Sequence, residues 1–600
     1  MATEGGRCNR VVALAQARES GHPVRAACLF VVLVIAKTVA LGGRSLPLSP
    51  WTPFVFFWQD VLAALIFLAV DAFLRRPAIG WLLYGIAVAY VAVNVPVALV
   101  LGTPLTWTMM RAAGGPLADS IGHYFTVWNV GSLFMVAGAG VVLPMLLGRR
   151  HIKPALSVIA VASVIVAIGA TAESRVETRG LQRNAFGALV GSRVARGAQP
   201  AGTAGDSEIH RRTVRRATQN LTHLRGAAKG RNVVLIVLES TAARYLGLYG
   251  GGRDPMPVLT ELGRQAVVFD AAYAVYPESI KGLFATLCSR YPAFNTPPET
   301  HARVPCISLA QSLAQAGYRT ALFHSGRFEY LGMAPMIANR GFEMLKDAGS
   351  IGGIVRSSFG VDEPSTVARM LEWIDSLENG ERFFLMYLPV AGHHPYAAPD
   401  PGPFDGAHDF GRYLNALHYG DAALGELLGG LRARRLDDRT LIAIQGDHGE
   451  AFGQHPDNFA HSLFIYDENV RIPYLIAAPG LMSEQVRMQR VASVIDTTPT
   501  ILDLLGEPIP AANQGASLLE PESRPAFFYT DYSLGWLGLR DSCWKYLYEI
   551  DSGRSKLFDV CGDPDETHDR ARDLEAQVRT YRDLVRHWAA AQKNAVRNGH

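Results

Sequence analysis

Charge is scarce in this chain of 600 residues. Asp, Glu, Lys and Arg make up 18%, below the roughly 25% of a soluble globular domain. The charge present balances to +3, so there is no basic footprint for nucleic acid. Cysteine is sparse too. Six residues, with no Cys-x-x-Cys pair and no zinc-ligand spacing, argue against a structural zinc module. Apolar residues reach 49% and mean hydropathy is +0.11. These values exclude a disordered chain and an ordinary cytosolic enzyme. The average conceals a division. Residues 26–172 are strongly apolar, whereas residues 231–600 read as a soluble domain.

Five stretches in the first part approach the roughly 20 apolar residues of a spanning helix: 26–42, 51–73, 80–101, 121–147 and 154–172. The first is short and carries Lys37, so an interfacial helix or a signal-peptide core competes with a span there. Asp60 and Asp71 fall in or near the second span, where an acid is a functional candidate unless it sits at the helix end. Arg7, Arg10, Arg18, Arg25, Arg75, Arg76, Arg149, Arg150 and Lys153 flank one side of these spans, and only Arg44 and Arg111 the other. This bias predicts a cytoplasmic N-terminus and, with an odd number of spans, an outside location for everything after residue 172. Trp51, Trp58 and Trp107 suit interfacial anchors. Residues 173–230 read as a basic linker, either lying on anionic headgroups or forming a solvated stalk.

Beyond residue 231, apolar runs at 231–240, 319–325, 382–390, 439–449 and 471–480 alternate with helical patterns. That order predicts a doubly wound α/β domain over 231–510 with a largely parallel sheet. Short strands and a last helix over 511–600 predict a small antiparallel subdomain. In such sheets ligands bind at the carboxyl ends of the strands. Four ends carry chemistry: Glu239-Ser240-Thr241, His324-Ser325, the approach to His393-His394, and Asp447-His448-Gly449-Glu450. Each motif is weak alone, since a strand-end acid often caps a helix and Asp-His-Gly is often a turn. Their coincidence points to a site.

Two carboxylates and an imidazole, from Glu239, Asp447 and His448, suit a divalent cation such as Mn²⁺, Mg²⁺ or Zn²⁺. A hydroxyl beside such an ion ionises more easily. Ser279 stands just before a helical pattern, where backbone N–H groups favour a phosphate, and Lys281 could add positive charge. A helix N-cap is the plain alternative for Ser279.

The run Ser279–Pro292, QGDHGEAFGQH and the segment from GLRDSCWKYLYE to KLFDVCGDPDET resemble the sulfatase branch of the alkaline phosphatase superfamily. Together with five spans, they resemble lipoteichoic acid synthases and lipid A phosphoethanolamine transferases. The resemblance implies one divalent metal, manganese ahead of magnesium, zinc or calcium. Its ligands would be Glu239, Ser279, Asp447 and His448, with Ser279 also the nucleophile. It implies substrate contacts from His324, Arg327 and His393, with His394 beside them, and leaving-group assistance from His461. The partners implied are a phospholipid donor, a cell-envelope glycolipid or glycan acceptor, and the membrane. The location implied is a bacterial inner membrane with the catalytic domain outside. Two departures matter. The nucleophile is serine where those transferases have threonine. The oxidation signal of true sulfatases is missing, because Lys281 and Leu283 stand where it needs Pro or Ala and then Arg.

The function expected is transfer of a phospho-headgroup through a covalent Ser279 ester. Hydrolysis of sulfate or phosphate esters and a degenerate, non-catalytic domain are the alternatives. Cys288–Cys306 and Cys543–Cys561 are the nearest cysteine pairings outside the membrane, against four free thiols.

Overall fold

The computed structural model describes residues 21–107, 109–110, 121–122, 124–147, 156–191, 215–216, 220–357, 360–398 and 402–597. The chain forms two compact units, one ending at Arg196 and the other containing residues 197–600.

The first unit is a helical bundle: α1 (Gly21–Leu41), α2 (Thr52–Phe73), α3 (Pro77–Leu101), α4 (Val127–Leu147), α5 (Leu156–Ala172) and a short α6 (Ala185–Gly191). The first five are long and apolar enough to cross a bilayer. Their centres agree with the expected spans, and their ends differ by a few residues. Two buried ion pairs join α1 to α2. Arg25 donates to Asp71 at 2.9 Å, and the Lys37 ammonium lies 3.3 Å from Asp60. Lys37 is therefore compatible with a spanning helix, because its charge is matched inside the bundle. The expected linker begins too early. Thr178, Leu181, Gln182 and Asn184 are buried in the bundle, and Lys37 donates to the carbonyls of Leu181, Gln182 and Arg183. Apolar Val176, Leu181 and Ala188 draw this segment back onto the helices. Of the cationic flanks, Arg7, Arg10, Arg18, Arg111, Arg149, Arg150 and Lys153 lie outside the described residues.

The second unit is built on a mixed sheet. Its strands are β1 (Asn232–Leu238), β2 (Ala266–Tyr273), β3 (Tyr318–His324), β4 (Met344–Lys346), β5 (Arg382–Leu388), β6 (Thr440–Gly446), β7 (Arg471–Ile472), β8 (Tyr474–Ala477) and β9 (Val486–Ser493). The order is β7-β2-β8-β6-β1-β5-β3-β4, with β9 also on β2. Strands β6, β1, β5, β3 and β4 are mutually parallel, and β8 runs against β6 and β2. In β1, Val233, Leu235 and Val237 face one core while Val234, Ile236 and Leu238 face another. Burial on both faces is why the sequence there is an unbroken apolar run. Helices cover both faces, among them α7 (Ser279–Cys288), α8 (Glu363–Asp375) and α9 (Asp409–Ala433).

The C-terminal part is a four-stranded antiparallel sheet, β10 (Ala526–Thr530) to β13 (Ser555–Asp559), through β11 (Trp536–Asp541) and β12 (Trp544–Glu549), backed by α10 (Glu575–Arg597). Trp588 of α10 is buried against Tyr291 and Phe527, whereas His587 is half-buried and bonded to the Asp583 carbonyl of its own helix. Cys543 and Cys561 are bonded beside Trp544–Asp559, the pair at the open end of the β12–β13 hairpin, and Cys288 is bonded to Cys306.

Candidate metal centre and active site

Four chain segments converge at the carboxyl edge of the parallel strands. The first follows β1. Ser240 holds a left-handed φ of 53°, an unfavourable backbone for a non-glycine residue that neighbouring structure must enforce. Its N–H donates to Asp447 Oδ1 at 2.9 Å and its hydroxyl to Glu239 Oε1 at 3.1 Å. The turn thus fixes the Glu239 carboxylate. The loop after β5 runs against the same turn. A Cβ at Gly392 would lie 2.2 Å from the Glu239 carbonyl oxygen, so only glycine fits there.

Ser279 opens α7. The helix is capped by Glu278, whose carboxylate accepts from the Ile280 N–H at 3.2 Å. Ser279 is the first helical residue rather than the N-cap, and its hydroxyl is free of capping duty. It donates to Glu239 Oε2 at 3.0 Å and lies 3.5 Å from His448 Nε2. His448 Nε2 is in turn 3.5 Å from Glu239 Oε1 and 3.3 Å from Asp447 Oδ2. The other oxygen of Asp447 accepts from the backbone of Ser240 and His448, and His448 Nδ1 contacts its neighbour's carbonyl at 2.9 Å. These bonds leave Asp447 Oδ2 and His448 Nε2 turned toward Ser279.

Electrostatics make this cluster unlike a structural ion pair. Burial raises the Asp447 carboxyl to about 7 and, with the neighbouring His461, lowers His448 to about 4. Among the described residues no lysine or arginine pairs with Glu239 or Asp447. Two carboxylates, a neutral imidazole nitrogen and a hydroxyl facing one another form a donor set that a divalent cation fits.

Histidines surround it. The His461 ring lies 4.2 Å from that of His448. Its Nδ1 is 2.6 Å from Glu450 Oε2, and Glu450 Oε1 accepts from the Tyr396 hydroxyl at 2.6 Å. Burial pushes Glu450 up to about 7 and His461 down to about 4. Glu450 is the residue that sequence reasoning noted at a strand end and gave no role. Its position, three after Asp447 in the same motif, was the available signal. His324 ends β3, buried, with Nδ1 2.9 Å from the Leu388 carbonyl. Burial lowers it, while Glu239 and His393 both act on it electrostatically. His393 also acts on Glu450 and His461. His394 stands edge-on to Tyr396. Arg327 is half-buried three residues beyond His324.

Lys281 is placed elsewhere. It is 2% exposed, bonds Asp531 at 2.9 Å and sits 4.1 Å above the Tyr276 ring. Successive helical residues are 100° apart, so the second residue after Ser279 faces away from it. Its charge anchors α7 to the C-terminal sheet instead of facing Glu239.

Residues 231–507 match the family model Sulfatase, and residues 457–587 match N-sulphoglucosamine sulphohydrolase, C-terminal. These matches make residues 231–587 a sulfatase-type domain, and the chain an enzyme of the sulfatase/alkaline phosphatase type, a metal-dependent group. Dog arylsulfatase K is 25% identical over 57% of this chain and 80% of its own length. The lipoteichoic acid synthase-like YvgJ of Bacillus subtilis is 25% identical over 47% of this chain and 48% of its own. This chain therefore spans four-fifths of the one relative and about half of the other. In fold it is similar to the lipoteichoic acid synthase LtaP of Listeria monocytogenes, with a TM-score of 0.50 and 20% identity over 62% of this chain and 94% of that one.

Proposed function

We propose that the protein is a membrane-anchored phosphotransferase that moves a phospho-headgroup, of phosphoglycerol or phosphoethanolamine type, from phospholipid to an extracytoplasmic glycolipid or glycan. The observation that carries this reading is the Ser279 hydroxyl, 3.0 Å from Glu239 among donors suited to a cation. Glu239, Asp447, His448 and Ser279 would hold one divalent ion, manganese in our reading. That ion would favour the ionised hydroxyl and offset charge on the phosphoryl oxygens.

The chain's own groups then divide the work. Glu239 accepts the Ser279 proton. Ser279 Oγ forms a bond to phosphorus as the bond to the diacylglycerol oxygen breaks. His461 donates its proton to that oxygen and draws a replacement onto Nδ1 from Glu450, whose carboxyl near 7 retains one at neutral pH. His324, His393, His394 and Arg327 line the approach and bind the donor's phosphate and head. An acceptor hydroxyl later attacks the seryl ester, with the protons moving in reverse. The positive flanks and the odd number of spans favour a bacterial inner membrane with this unit outside.

Hydrolysis of sulfate esters is disfavoured by Lys281 and Leu283, because a serine without that oxidation signal keeps its hydroxyl. The test is mass spectrometry of the full chain after incubation with phospholipid vesicles and Mn²⁺. A phospho-headgroup mass on the Ser279 peptide is the expected result. Intact lipid and an unmodified Ser279 would overturn the reading.

A further inference from the structure

The membrane unit contains a cavity of about 50 Å³. Its walls come from the last turns of α1 and α3, from Asp60 in the first half of α2, and from the returning segment Leu181–Ala185. All four belong to the side of the bundle on which the chain leaves α5. Small side chains, Ala36, Ala40 and Ala98, set its width, and its polar floor is Lys37 and Asp60, 8% and 2% exposed.

The hydrogen bonds at that floor do not balance. A lysine ammonium has three N–H donors. Lys37 directs them at the carbonyls of Leu181, Gln182 and Arg183, at 3.3, 3.0 and 2.7 Å. The Asn184 amide satisfies Asp60 Oδ1 at 2.5 Å. Asp60 Oδ2 has the lysine ammonium 3.3 Å away as its ion-pair partner, so its charge is matched, but it accepts no well-directed hydrogen bond. A buried carboxylate oxygen on a cavity wall calls for a donor. One water occupies about 10–15 Å³ on this measure, so the space admits a group of several heavy atoms.

We propose that this cavity binds the head of a glycerophospholipid that carries its own N–H or O–H donor, an ethanolamine or a glycerol, with that donor on Asp60 Oδ2. Leu33, Val91 and Val95 give the lipid an apolar wall beside the head. A choline head has a charge of the same sign as ethanolamine but no N–H, so it cannot supply the missing bond. The site is distinct from the Ser279 cluster and requires lipid in the bilayer, not turnover.

The test uses the full chain carrying Ser279→Ala, so that no lipid is consumed. It is placed in nanodiscs of phosphatidylethanolamine, phosphatidylglycerol or phosphatidylcholine with identical acyl chains. It is then released into detergent, and retained lipids are counted by native mass spectrometry. One ethanolamine or glycerol lipid per chain is expected, at least tenfold above the choline lipid. Asp60→Asn brings the ratio close to one. Ala98→Leu fills the cavity without touching the Lys37–Asp60 pair and removes the retained lipid, which serves if Asp60→Asn does not fold. Equal retention of the choline lipid, or no retained lipid, overturns the proposal. A lipid that survives Ala98→Leu and leaves on chelation of divalent metal also overturns it, since that lipid sits at the Ser279 cluster. That outcome would leave the proposed transfer reaction standing.

Discussion

Both units bury carboxylates, and the site of the second unit treats them differently from the ion-paired acids of either unit. In the membrane unit Asp71 has Arg25 and Asp60 has Lys37. The second unit contains its own paired example, where Lys545 lies 2.7 Å from Asp467 and 2.9 Å from Glu566. Glu239, half-buried, and Asp447, buried, have no lysine or arginine partner among the described residues, only an imidazole, hydroxyls and backbone N–H groups. A buried acid with a built-in cation is an element of structure. A pair of acids without one is arranged for a cation that comes from outside.

The sharpest test of that contrast leaves every charge in place. Ser279→Ala removes only the hydroxyl, and we expect turnover to fall by about 10³-fold or more with circular dichroism unchanged. Lys545→Met strips a paired network of its cation, and urea unfolding should lose roughly 3–5 kcal/mol. Equal stability would deny that pairing is what holds those acids.

Asp447→Asn should do the reverse to the metal-free protein. Burial places the folded Asp447 near 7 against about 3.9 unfolded. The wild-type apo form thus takes up a proton on folding. The stability linked to that proton is fully present below about 4 and is lost as pH rises to 7. The variant escapes this loss, so its advantage should grow from pH 4 to 7 and then level at roughly 2–4 kcal/mol, read as melting temperature. Its Mn²⁺ affinity should fall by about 100-fold or more, whereas wild-type affinity climbs up to about tenfold per pH unit below 7. Glu450→Gln should have the smallest effect, lowering kcat by about 10- to 100-fold through His461 while calorimetry gives unchanged Mn²⁺ affinity.

The two kinds of buried acid also differ in how plainly the sequence announces them. Glu239, Asp447 and His448 follow apolar strands whose double-sided burial leaves unbroken runs, so their place at one sheet edge was legible. Strand β2 was not read, because Asp270 breaks its apolar run. Glu450 was seen but not understood. Its partner His461 returns to it through the short Ala451–Phe452 and Phe459–Ala460 ladder, which has too few residues to leave a period. Lys281 misled for the opposite reason, since closeness in sequence to Ser279 means opposite faces of a helix. Lys37 looked foreign to a spanning helix because its partners, Asp60 and the carbonyls of 181–183, come from distant parts of the chain.

Asp531, which follows β10, accepts from the Tyr276 hydroxyl, the Lys281 ammonium and the Asn295 backbone, three points around the helix that begins at Ser279. A gene lesion that stops translation shortly before codon 531 would therefore not yield a smaller working enzyme. It would spare every residue assigned to chemistry and still release the nucleophile from its seat. Loss-of-function alleles should accordingly be as frequent in the last seventy or so codons as around the Asp447-His448 pair, even though no reacting atom is encoded there.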